Sequence, residues 1–75
     1  MTIVLEHYKD STGLHGEIEQ DKYCSSFRVV ISEPLGGGRA RSLYRNTFTT
    51  KENARRAIRR HMTAPITRLD NKKGD

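Results

Sequence analysis

Polar and apolar positions alternate most clearly between Tyr23 and Ser32, where Phe27, Val29 and Ile31 fall on one side at period two and Arg28, Val30 and Ser32 on the other. That period is a strand's. Pro34 is expected to end it, because proline donates nothing to a central ladder. Glycines 36–38 supply a flexible connection, and Ala40 to Phe48 reads as the return strand of a hairpin. Upstream the pattern is weaker. Gly16 to Gln20 alternates around Ile18 as a short strand, with turns at residues 9–13 and at Asp21-Lys22. The apolar opening Met1–Leu5 either pairs as an edge strand or packs on the domain.

Thr49-Thr50-Lys51-Glu52 has the form of a capping box, with a threonine oxygen on a free backbone N–H and the glutamate reaching back. Ala54, Ala57, Ile58, His61 and Met62 then recur at spacings of three and four, a helical stripe that Pro65 stops. The two alanines let the helix approach a sheet closely. The fold class expected is α+β, a three-stranded antiparallel sheet packed on one C-terminal helix. Its core is expected to hold Phe27, Val29, Ile31, Leu43, Phe48, Ile58 and Met62. One domain covers residues 1–65, and residues 66–75, poor in apolar side chains, are expected to form a flexible, disordered tail.

Composition narrows the function. With 75 residues, 33% of them hydrophobic and no tryptophan, the chain has room for one thin core. A domain of this size buries only about 60% of its unfolded surface. No apolar run approaches the roughly 20 residues of a membrane span, and the first residues lack a signal-peptide layout. The single cysteine, Cys24, cannot form an internal disulfide, so a reducing, cytoplasmic setting is expected.

Charge changes the picture more. Residues 1–38 carry six acidic side chains against three basic ones, a net of −3, whereas residues 39–75 carry eleven basic against three acidic, a net of +8. Eight of those eleven are arginine, whose planar fork suits phosphate oxygens and guanine edges. A concentrated basic surface attracts polyanions by counterion release. The candidates are Arg39, Arg41 and Arg45 on the hairpin and Arg55, Arg56, Arg59 and Arg60 on the helix, mainly as phosphate contacts, with Arg28 and Tyr44 as candidates for base contact.

Other chemistry finds little support. The loop Gly36-Gly37-Gly38-Arg39 lacks the Lys-Ser/Thr ending of a P-loop and opens a strand, so a nucleotide cradle is not expected. His7, His15 and His61 have no metal-ligand spacing with Cys24. Cys24 reads as a half-buried structural thiol, Ser25-Ser26 lacks a strained elbow, and Glu17 and Glu19 merely share a strand face. Neither an enzyme, a cofactor nor a metal is expected. His61 is expected as a packing residue. Val30 and Tyr44 are expected on the sheet face opposite the helix, exposed unless residues 1–8 cover them.

Thr47-Phe48-Thr49-Thr50-Lys51-Glu52-Asn53-Ala54-Arg55-Arg56-Ala57 resembles the T-F-x-T-x-E-x-A-x-x-A entry into the helix of AP2-type DNA-binding domains. Phe27-Arg28-Val29-Val30-Ile31-Ser32-Glu33-Pro34 resembles their second strand, so the likeness spans residues 27–57. It implies three antiparallel strands on one helix, an architecture shared by integrase arm-binding domains, with the sheet face in the DNA major groove. The groove-facing positions then fall on Val30, Ser32, Ser42 and Tyr44.

The functional expectation is a small basic nucleic-acid-binding module, for DNA before RNA. The alternative is a protein-interaction module, an accessory or inhibitory protein of phage or mobile-element type. It would dock on an acidic partner or homodimerise through the exposed sheet face.

Overall fold

The computed structural model describes residues 2–69. They form strands β1 (Thr2–Lys9), β2 (His15–Asp21), β3 (Phe27–Gly36) and β4 (Arg39–Phe48), helix α1 (Lys51–His61) and a short β5 (Thr67–Arg68). The strands make one antiparallel sheet in the order β4-β3-β2-β1-β5, with α1 across one face. The expected three-stranded sheet is therefore corrected to five strands, and the protein is mostly strand. A β2 paired only to β3 would leave its outer backbone groups unpaired, and the β-branched run at Thr2–Val4 supplies the strand that takes them. Residues 2–9 thus extend the sheet and do not cover a face.

The expected tail is corrected too. Ile66 packs against the core and β5 pairs with β1 through Tyr8 and Lys9. Local apolar poverty does not decide order where a distant edge offers hydrogen bonds. Residues 70–75, the rest of that tail, lie outside the described residues. β3 also continues through Pro34, which pairs with Ala40 of β4. β2 reaches only as far as Ser32, so beyond it β3 has one neighbour and Pro34 need not donate to a second.

Register assigns the faces. The helix side carries Glu6 and Tyr8, Gly16 and Ile18, Phe27, Val29 and Ile31, and Tyr44, Asn46 and Phe48. Ile18, Val29, Ile31, Ala54, Ala57, Ile58 and Met62 are buried as the core, with Phe27 and Phe48 packed at its margin. Leu43, expected in that core, is 49% exposed, because it is the extra residue of a bulge: Ile31 faces Tyr44 while Ser32 faces Ser42. The bulge also turns Tyr44 to the helix side, which corrects its expected place beside Val30. A second bulge at Leu5 separates Val4 from Glu6 in the same way.

The helix lies close because Gly16 has no side chain: a Cβ there would stand 2.6 Å from Met62 Sδ and 2.8 Å from Ile58 Cδ1. The N-cap is Thr50, whose Oγ1 accepts from Asn53 N–H at 3.1 Å. With Thr50 as cap the third helical position is Asn53, so Glu52 does not close the expected box. The connection between β3 and β4 is a two-residue turn with positive φ at Gly37 and Gly38, a conformation that L side chains rarely adopt.

Candidate nucleic-acid interface

Four of the nine residues expected at the interface turn out to be engaged in other work. Arg28 lies on the open sheet face, donating to Glu19 at 3.1 Å and standing 3.6 Å from Asp21. Arg41 pairs with Glu33 across the hairpin at 2.6 Å. Arg55 is the chief partner of Glu6, a carboxylate only 1% exposed, through Nε bonds of 3.0 and 3.1 Å and a further contact from its Nη2. Arg68 at 3.6 Å and Lys51 at 3.9 Å complete the charges around Glu6, and the Tyr8 hydroxyl donates to it. Burial pushes the Glu6 carboxyl up. The hydrogen bonds from Arg55 and Tyr8 and the charges of Arg55 and Arg68 outweigh it and hold the group ionised, below its ordinary range. Tyr44, the fourth, stacks on His61 at 4.0 Å between ring centroids, with the planes 25° apart. His61, expected in the packed stripe, is exposed.

The other five expected residues are exposed arginines: Arg39, Arg45, Arg56, Arg59 and Arg60. Among the described residues no carboxylate forms an ion pair with any of them. The helix divides its own set. Arg55 and Arg59, four residues apart, border an apolar hollow with Tyr8, Ile58 and Ile66. Arg56 and Arg60, also four apart, stand over the opposite flank, towards β4.

On that flank β4 and α1 enclose a groove of about 330 Å³. Phe48 and Ala57 contribute its apolar lining, and the Tyr44–His61 stack, Asn46, Asn53, Arg56 and Arg60 surround it. Asn53 Oδ1 accepts from Arg56 Nη1 at 3.0 Å and so positions that guanidinium. Asn46 accepts from Thr47 N–H at 2.8 Å and donates to the Tyr44 hydroxyl at 3.3 Å. Asn46, Asn53 and His61 were missed in the sequence. Their signal was available as period-two positions 44, 46 and 48 on one strand and a helix flank at 53, 56, 57 and 60.

The open sheet face has a different character. Its rows run Val4–Glu19–Arg28–Thr47, His7–Glu17–Val30–Arg45 and Lys9–His15–Ser32–Ser42. Carboxylates of β2 occupy its middle. Burial and a hydrogen bond with Glu19 raise the Glu17 carboxyl above its ordinary value, and His7 and His15 are joined at 2.9 Å through Nε2 and Nδ1. Cys24, expected half-buried, is exposed at the β2–β3 turn.

Among the described residues no group of three or more His, Cys, Asp or Glu could hold a metal ion, and no helix is long and apolar enough to cross a membrane. Comparison with known proteins gives no family model, no curated protein and no solved structure that matches the chain.

Proposed function

We propose that the protein is a small nucleic-acid-binding module that presents its β4–α1 side, and not its open sheet face, to the polyanion. The observation that carries this reading is the pair of carboxylate-free arginines on that side, Arg56 and Arg60 of the helix flank beside β4; Arg39 and Arg45 of β4 are carboxylate-free as well, Arg45 in the row of Val30 on the open face. Arginine without an internal carboxylate keeps its charge for phosphate, and Arg56, which gives one donor to Asn53, keeps the others. Docking through the sheet face, as the AP2 and integrase-arm resemblance implies, would bring phosphates against Glu17, Glu19 and Asp21 of β2. Arg28 is already neutralised there by Glu19 and Asp21.

Fluorescence anisotropy with labelled DNA across a salt series tests the proposal. Micromolar binding at about 50 mM salt that weakens steeply towards 200 mM, and that falls in the Arg56→Ala/Arg60→Ala variant with its circular dichroism unchanged, is the expected result. No binding at about 50 mM salt, where phosphate contacts are strong, refutes it.

Protein docking is the second reading, favoured by one observation. Val4, 47% exposed, and Val30, half-buried, lie on the sheet face away from the helix amid charged neighbours. Self-association through that face would show as a dimer mass in light scattering, abolished by Val30→Glu.

A further inference from the structure

The groove between β4 and α1 has the parts of a site for one unpaired base together with its phosphate. We propose that it takes a single-stranded nucleotide, the base continuing the Tyr44–His61 stack and the phosphate lying on Arg56 and Arg60. This rests on the nucleic-acid reading above and narrows it to unpaired strands.

Three observations support it. First, the stacked ring pair ends in an exposed histidine beside two guanidinium groups that no carboxylate neutralises. In a duplex both faces of a base are covered by its neighbours, so an aromatic platform serves a base that has left the stack. Secondly, the groove, at about 330 Å³, has the volume of a small-molecule pocket and not of a surface that accepts a helix. Thirdly, Asn46 and Asn53 flank it with amides that carry both donor and acceptor atoms, the complement of a base edge. The Phe48 and Ala57 lining keeps the inner end apolar. Elsewhere the arrangement is not repeated: of the two guanidinium groups beside the second hollow, that of Arg55 is committed to Glu6, leaving Arg59 alone, and the other lining is mainly apolar.

The test uses three fluorescein-labelled probes of equal phosphate count at about 100 mM salt: a thymidine 12-mer, the same strand with every base removed, and a hairpin duplex. The intact strand is expected to bind about tenfold tighter than either of the others, the scale of one stacked base. Tyr44→Leu and, separately, the exposed-site variant His61→Ala should each bring that preference to within about twofold while affinity for the abasic strand stays unchanged. His61→Ala keeps the outcome readable if the half-buried Tyr44 variant fails to fold. Equal affinity for intact and abasic strands overturns the base site and leaves the arginine surface standing. Equal affinity for intact strand and duplex overturns it likewise. Binding to none of the three, here and again at about 50 mM salt, overturns both proposals.

Discussion

Asp10 is 5% exposed and forms no ion pair among the described residues; four donors hold it in place. Its carboxylate accepts from Thr12 N–H and Oγ1, Leu14 N–H and, across the molecule, Thr63 N–H, all between 2.7 and 2.9 Å. Burial opposes ionisation, and the donors, Thr63 first, override it and bring the pKa down from 3.8 to about 2. A folded value below the unfolded one stabilises the fold fully above pH 3.8, and that contribution disappears as the pH falls through 2. Asp10→Asn should therefore cost about 2–3 kcal/mol at neutral pH and flatten the acid limb of a urea-unfolding series, its deficit shrinking towards pH 2. An unchanged acid limb would contradict that role. Arg55 invites a second residue-level comparison. Arg55→Ala should lower the melting temperature more than Arg56→Ala or Arg60→Ala, because it strips Glu6 of its closest cation, while the order for loss of nucleic-acid affinity should be the reverse. Equal behaviour of the three variants in both assays would mean that the helix arginines act as one surface.

Among the elements, the helix and the β3–β4 hairpin were the legible part. Both announce themselves locally, by the stripe Ala54, Ala57, Ile58, Met62 and by the alternation Phe27, Val29, Ile31. Thr50→Ala should cost about 1 kcal/mol through the lost cap. Gly16→Ala should cost about 1–2 kcal/mol, since Met62 and Ile58 must give way inside a filled core, and thermal unfolding reads both. β1 and β5 were not legible as a pair. Thr67-Arg68 is a strand only because Tyr8 and Lys9, some sixty residues earlier, offer it an edge, and no local pattern encodes that partner. The bulges were hidden for another reason. One inserted residue at Leu43 exchanges the two faces of everything beyond it, so counting by twos from the hairpin turn puts Leu43 inside and Tyr44 outside, the reverse of what counting back from Phe48 gives. That single residue moved Tyr44 to the helix side and with it created the groove. The arginines of the candidate surface were legible as types. Which of them already had partners depended on Glu6, Glu19 and Glu33, acids that only the fold brings near.

For the whole molecule, the sequence asymmetry of −3 and +8 becomes a spatial one, with carboxylates across β2 and unneutralised arginines along β4 and the adjoining flank of α1. Removing Arg56 and Arg60 together should lower the slope of log affinity against log salt by about 0.7 on a single strand, the one phosphate that the two guanidinium groups share. A fall in affinity at constant slope would mean that the two side chains do not touch phosphate. The position of β4 has another consequence. It is ten residues long and stands at the edge of the sheet, where backbone N–H and C=O groups face outwards and invite a further strand. Arg39 and Arg45 sit on that strand, so two molecules approaching side by side meet like charge before they can join ladders. A polyanion that neutralises those arginines would remove the repulsion. Solubility in isolation and crowding along a charged polymer would then be two outcomes of one edge, told apart by whether light scattering rises only once the strand is added.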